Sequence, residues 1–245
     1  MRMVSPVLSL RGVTKRFGGL VAVNGMDFDV TEHEVLGLIG PNGSGKSTTL
    51  NLISGALMPS EGTISLRGAP ITHLAAQDIA RKGVARTFQL VRLLPSMTVL
   101  ENVKAGAVFG HRRRWGTEAN AQAQALMEQV GLAGRGHLKV GQLTYIDTKR
   151  VELARALAGD PKVLLLDEWL AGLNPTELEE GIALIRRLRD EGRTVILVEH
   201  VMDAIRSLCD RCVVMASGTK IAEGAVADVL ADPEVIRAYL GDDDD

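Results

Sequence analysis

EVLGLIGPNGSGKSTTLNLISG, residues 34–55, is the stretch on which the fold turns. EVLGLIG is a short, unbroken apolar run ending at glycine, which is how a strand buried on both faces reads. TTLNLI then spaces its apolar residues as a helix does, starting near Ser47 and stopping before Gly55. Between strand and helix lies GPNGSGKS, residues 40–47, which fits the phosphate-loop pattern G-x-x-x-x-G-K-S/T in the setting that such a loop requires. Its glycines let successive backbone amides turn inward toward phosphate oxygens, and the helix N-terminus adds partial positive charge. Gly40, Asn42, Gly43, Ser44, Gly45, Lys46, Ser47 and Thr48 are therefore the candidate nucleotide-binding residues. Lys46 is expected to reach the β and γ phosphates and Ser47 to ligate Mg2+.

On the N-terminal side, VLSLRGVTKRF and LVAVNGMDFDV alternate apolar and polar residues around Gly18-Gly19, as antiparallel strands with one wet face do. GTISLRGAPI reads as a further edge strand with a turn at Arg67-Gly68. From residue 90 to 158 the strand signals give way to helical ones, in MTVLENVKAGAVF, TEANAQAQALMEQV and GQLTYIDTKRVELARAL. Strands return in KVLLLDE, TVILVEH and RCVVMAS, alternating with helical stretches such as PTELEEGIALIRRLRDEG. This order predicts a mainly parallel α/β sheet of phosphate-loop type carrying two additions, an antiparallel β subdomain and a helical subdomain. The expected organisation is one domain over residues 1–245, with 1–89 and 159–245 as the nucleotide-binding core and 90–158 as the helical part.

The chain has 245 residues, 46% of them hydrophobic, enough for a sizeable core. With 28 basic and 30 acidic side chains, the net charge of −2 gives no global field for nucleic acid or an acidic membrane, and no nucleic-acid partner is expected. No apolar run approaches the ~20 residues that span a bilayer, and MRMVSPVLSLRG lacks the apolar core of a signal peptide. Cys209 and Cys212 supply two ligands where a structural zinc site wants about four, so they read as small buried residues. The closing GDDDD reads as a solvated tail or an artificial addition.

KVLLLDE brings two carboxylates to the C-terminal edge of a buried strand, beside the phosphate loop. Asp167 is the candidate for holding Mg2+ and Glu168 for polarising the water that attacks the γ-phosphate. His200 ends TVILVEH, where it can contact the γ-phosphate and relay the state of the site. Gln89 follows the GVARTF strand, and its amide can reach both metal and water.

Phosphate loop, Gln89, a motif at a helix start, strand-end Asp-Glu and then His200, in this order, resemble the ATP-binding subunit of ABC transporters over essentially the whole chain. In that family an aromatic near the N-terminus stacks on adenine, and Phe17 in KRFGGLVAV occupies the matching place. ARTFQLVRLLPSMTVLENV, DEWLAGLNPTELEE and PEVIRAYLG look like the ATPase subunits of branched-chain amino acid importers. The resemblance implies ATP and Mg2+ as ligands and a peripheral place on the cytoplasmic face of the inner membrane. It implies as partners a second ATPase subunit, either a different chain or a second copy. Two integral membrane permease subunits and, indirectly, a periplasmic solute-binding protein complete the set. A lipid or lipopolysaccharide exporter motor, or a soluble ABC ATPase acting on DNA or ribosomes, are the alternatives.

The family signature, L-S-G-G-Q or L-S-Y-G-Q, opens a helix that contacts the γ-phosphate held by the other subunit. Here it reads Leu143-Thr144-Tyr145-Ile146-Asp147. Ile146 is expected to obstruct the approach of backbone to phosphate, and a carboxylate at Asp147 to repel it. Either this chain pairs with a different ATPase and its signature site is weak, or the variant is tolerated. Gly172 and Asn174, in AGLNP, are expected at the dimer interface. Trp169 stands where the family usually has proline and either packs at that interface or fills core. The segment 90–103 is a candidate to transmit nucleotide state to the permease through exposed Leu93, Leu94 and Met97, the alternative being an ordinary internal contact. HRRRW, residues 111–115, is a solvated loop or a contact for lipid headgroups or the permease.

Overall fold

The computed structural model describes residues 5–240, so the terminal acidic run lies outside the described residues. Gly18 and Gly19 turn β1 (Leu8–Phe17) back into an antiparallel hairpin with β2 (Leu20–Val30). β3 (Val35–Ile39) runs through the phosphate loop into α1 (Lys46–Ile53). β4 (Glu61–Leu66) and β5 (Ala69–Pro70) form a second hairpin, and α2 (Ala76–Lys82) leads to β6 (Val84–Arg86). Three helices follow, α3 (Val99–Phe109), α4 (Gly116–Gln129) and α5 (Tyr145–Ala158), with no named strand among the described residues between β6 and β7 (Val163–Asp167). Then α6 (Pro175–Asp190), β8 (Val195–Val198), α7 (Met202–Leu208) and β9 (Arg211–Ala216) alternate, and β10 (Thr219–Ala225), α8 (Val226–Leu230) and α9 (Pro233–Leu240) close the chain.

Two sheets result, one four-stranded in the order β2-β1-β4-β5 and one six-stranded in the order β10-β9-β3-β8-β7-β6. The pairs β9-β3, β3-β8, β8-β7 and β7-β6 are parallel, and β10 runs antiparallel to β9. GTISLRGAPI is not an edge strand as expected, because its first half, β4, lies between β1 and β5 and leaves the edge to β5.

The unbroken apolar runs of the central strands follow from burial on both faces. Leu36 and Leu38 of β3 join Leu165, Ile196 and Val213 in a core shared with β1, β2 and α1. Val35 and Ile39 join Leu164, Leu166 and Leu197 in a second core formed with the helices. Gly106 of α3 lies so close to α5 that a Cβ there would stand 2.0 Å from the Arg155 carbonyl oxygen. Cys209 and Cys212 are buried free thiols packed against Gly37 of β3. No helix among the described residues is long and apolar enough to cross a membrane.

Candidate active site

The loop after β3 depends on its glycines. Gly40 sits at φ 148° and a Cβ there would be 2.0 Å from the Met215 carbonyl oxygen, while at Gly45, φ 103°, it would be 2.5 Å from that of Ala22. Any side chain at either position would force the loop away from β2 and β9. Gly45 caps α1 without any side-chain hydrogen bond, so no side chain caps the first amides of that helix. Lys46 is buried and its Nζ donates to the carbonyls of Gly40 and Pro41, both at 2.8 Å. Burial pushes its pKa down, against the opposing pull of Glu168 and Asp167.

A cavity of about 430 Å³ opens over this loop, lined by residues 42–48, by Leu20, Val21 and Ala22 of β2, by Glu168, and by Ser217 and Gly218. Ser217-Gly218, the turn between β9 and β10, belongs to no motif of the sequence. It is tied to the site because the Gly218 N–H donates to the Ser44 carbonyl at 3.1 Å. Phe17 is not among the lining residues. It is half-exposed at the end of β1, paired with cavity-lining Leu20 and within 5.1 Å of the Lys15 ammonium.

The strand order brings the C-terminal ends of β6, β7 and β8 to the edge where the phosphate loop leaves β3. Gln89, Glu168 and His200 meet there. The Glu168 carboxylate accepts from Gln89 Nε2 at 2.7 Å and lies 2.8 Å from His200 Nε2. Glu168 occupies the left-handed region at φ 49°, a conformation that costs a residue with a side chain about 1 kcal/mol or more and persists only where neighbours hold it. Its own N–H donates to the Val198 carbonyl at 2.9 Å.

Asp167 is buried and its Oδ2 pairs with Arg86 Nη2 at 2.6 Å, whereas its Oδ1 is buried without a partner. Arg86 was not singled out in the sequence; it ends β6 and also donates to Asn51 Oδ1 at 2.6 Å. Two further buried carboxylates shape the site. Glu152 of α5 accepts from the N–H groups of Phe88 at 3.2 Å and Arg92 at 3.0 Å, bracketing Gln89, and burial pushes its pKa up. Glu199 accepts from the Leu170 N–H at 2.6 Å, and burial pushes its pKa up to about 7 against the attraction of Lys149.

The signature segment differs from expectation in the direction its side chains take. Ile146 and Asp147 are buried, while Thr144 and Tyr145 are exposed. Thr144 caps α5: its hydroxyl accepts from the Asp147 N–H at 3.3 Å and donates to the Asp147 carboxylate at 2.8 Å. Asp147 is further paired with Arg135 at 2.6 Å. Ile146 therefore does not stand in front of the helix start, and the charge of Asp147 is turned inward and neutralised. Tyr145 is the side chain presented there, packed beside Gly172. Asn174 caps α6 in a reciprocal pair with Glu177, each bond 3.0 Å. Trp169 is 1% exposed and fills core, its Nε1–H donating to the Lys149 carbonyl at 3.1 Å. Of the apolar residues after Gln89, Leu94 and Met97 are exposed but Leu93 packs against the main core. In HRRRW, Arg112 pairs with Asp160 and Arg114 with Glu118, and Trp115 stands exposed edge-on to Phe109.

The profile of the ABC transporter family matches residues 23–171, more than half the chain and the whole stretch from β2 to the strand-end carboxylates. The chain belongs to the ABC transporter family. As a member it is an ATP-binding cassette, an ATPase coupled to transport. A second profile, of the branched-chain amino acid ATP-binding cassette transporters, matches residues 219–245. The high-affinity branched-chain amino acid transport ATP-binding protein LivG of Salmonella typhimurium is 41% identical, over 98% of this chain and 100% of its own length. BraF of Pseudomonas aeruginosa, of the same description, is also 41% identical with the same coverage. Among solved structures, the ADP conformation of MJ1267, an ATP-binding cassette of an ABC transporter, superposes with a TM-score of 0.87. It is 32% identical, over 97% of this chain and 100% of that one. A bacterial cassette solved as a dimer superposes with a TM-score of 0.81 at 28% identity, over 89% of this chain and 98% of that one.

Proposed function

We propose that the chain is the ATP-hydrolysing subunit of an importer of branched-chain amino acids or chemically related small solutes. It would sit on the cytoplasmic face of the membrane, beneath two permease subunits fed by a periplasmic solute-binding protein. The full-length 41% identity to LivG and BraF supports the transport reading. One relative points elsewhere: the Nod factor export ATP-binding protein I of Burkholderia lata is also 41% identical, over 91% of this chain and 71% of its own length, which keeps an exporter motor as the second reading.

The chemistry is carried by the single carboxylate of Glu168, held between Gln89 and His200 beside the phosphate loop. Residues 42–48, with Gly40, bind the triphosphate through backbone amides and Lys46, and Phe17 stacks on adenine. Mg2+ is a hard cation that takes few protein oxygens and keeps several waters, so a cage of acidic residues is not required. The orphaned, buried Oδ1 of Asp167 fits such an ion, with Ser47 and Gln89 completing the protein donors. When bound, the metal neutralises charge that develops on the phosphates. Glu168 accepts a proton from the attacking water, and His200, which shares that carboxylate, holds it in place and contacts the γ-phosphate.

The dimer partner is a second cassette, meeting this chain through Leu143, Thr144, Tyr145, Gly172 and Asn174. The permease seats in a groove of about 320 Å³ whose lining includes Ala80, Phe88, Gly106, Phe109, Arg155 and Pro161, one residue away from Gln89. Glu168→Gln is expected to bind ATP at wild-type affinity and lose most turnover, and wild-type turnover would overturn the assignment. Uptake by the reconstituted complex, assayed against a panel of amino acids, separates import from export.

A further inference from the structure

Three backbone groups just past the end of β7 need partners that the sheet does not supply, because the left-handed turn at Glu168 takes the chain out of the strand. Two buried side chains supply them, and the Glu168 carbonyl also accepts from the Ala171 N–H at 3.1 Å. Lys149 Nζ donates to the Trp169 carbonyl at 2.8 Å and to the Glu168 carbonyl at 3.3 Å, and Glu199 accepts from the Leu170 N–H at 2.6 Å. The indole of Trp169 returns the contact through its bond to the Lys149 carbonyl.

Lys149 lies one helical turn inside α5 from Tyr145, and its ammonium stands 5.0 Å from the centre of the Tyr145 ring. The ammonium is thus engaged on one side with the exposed aromatic at the start of α5 and on the other with the main chain of Glu168. Lys149 itself is 1% exposed, so this contact is internal and has no solvent alternative.

We propose that Lys149 is a positioning residue that couples the exposed start of α5, through Tyr145, to the backbone of Glu168. This rests on the reading of Glu168 as the group that activates water. A partner nucleotide pressing on Tyr145 then acts on the carboxylate of the site that this chain's own phosphate loop forms, linking the two sites of a dimer through a single side chain. Lys149 touches no substrate; it sets where the Glu168 carboxylate stands.

The test is the ATPase activity of the assembled transporter carrying Lys149→Met, Lys149→Arg, Tyr145→Ala or Glu168→Gln, with kcat and KM for ATP measured separately. Lys149→Met is expected to lower kcat by about tenfold to a hundredfold with KM within about twofold, the scale of a misplaced catalytic group. Lys149→Arg, which keeps donors for both carbonyls, is expected to restore most of the loss. Tyr145→Ala is expected to lower kcat, and to leave Lys149→Met a smaller further effect than it has alone. Wild-type kcat in Lys149→Met, alongside an inactive Glu168→Gln, overturns the coupling and leaves the assignment of Glu168 standing. A Lys149→Met loss that resides in KM, or one that Lys149→Arg does not relieve, also overturns it. Wild-type turnover in Glu168→Gln overturns the underlying reading whatever Lys149 does.

Discussion

Arg86→Met separates a structural role from a catalytic one at the heart of the site. The guanidinium is almost wholly buried, and among the described residues it is the only partner of the Asp167 carboxylate, whose side chain is 2% exposed. Methionine keeps most of the volume and removes the charge, so packing changes little while Asp167 is left as an unpaired anion in a dry place. Losing one member of a buried pair costs about 3–5 kcal/mol, mostly the penalty of the stranded charge. In a chain of this length, with about 2–4 °C per kcal/mol, the melting temperature should drop by roughly 10 °C. Asp167→Asn in the same chain removes the stranded charge, so the double variant is expected to be clearly more stable than the sum of the single losses predicts. Urea unfolding without nucleotide measures all four corners of this cycle and keeps catalysis out of the comparison. Additivity within about 0.5 kcal/mol would mean that the pair carries no coupling, and the reasoning would fail.

Glu199 makes stability fall as pH rises. Its folded pKa is raised from 4.5 to about 7, so between those values the unfolded chain releases a proton that the folded chain keeps. The contribution is lost through that window and levels off above it, a change of up to about 3 kcal/mol. Glu199→Gln should flatten it, which denaturant unfolding at pH 5 and pH 8 measures; an unchanged slope would show that Glu199 does not titrate there. Gly106→Ala drives a methyl group into the Arg155 carbonyl oxygen 2.0 Å away and should cost about 1–3 kcal/mol by forcing α3 off α5; a melting temperature equal to wild type would contradict that crossing. Restoring the family signature with Ile146→Gly and Asp147→Gln should destabilise by about 2 kcal/mol or more, because it empties a buried site and puts glycine in the first turn of α5. The ATPase rate of that variant should not rise, and a rise would revive the idea that Ile146 and Asp147 weaken the site.

The parts of the site that could be read in the chain are those whose function lies in local spacing. The phosphate loop, Asp167 and Glu168, and the strand-end His200 each announce themselves within a few residues of a buried run. Arg86 does not. It lies 81 residues from Asp167, and only the pairing of β6 with β7 makes a strand-end arginine the partner of that carboxylate. Ser217-Gly218 reaches the cavity for a similar reason, because β9 runs beside β3 and its turn falls against the phosphate loop. Lys149 and Glu199 sit on separate elements and have a common target only once the chain turns at Glu168.

The signature segment carries a local signal of a different kind. Thr144-Tyr145-Ile146-Asp147 fits the pattern S/T-x-x-D/E of a capped helix start. At the third helical position an aspartate can return to the hydroxyl of the cap, and the following arginine turns with it: Arg150 lies 3.7 Å from the Asp147 carboxylate and pairs on its other side with Glu180 of α6. A negative charge so placed complements the helix dipole rather than opposing a phosphate. The Thr144 hydroxyl is the group that must choose, since its proton is given to Asp147 in this conformation. Contact with a partner's phosphate would therefore require that bond to break, with Arg135 and Arg150 remaining to hold the carboxylate. Replacing Asp147 by asparagine, which weakens its hold on that proton, tests this step more directly than restoring glutamine does: tighter ATP-dependent dimerisation without loss of fold is the expected result, and unchanged dimerisation would remove Thr144 from the contact.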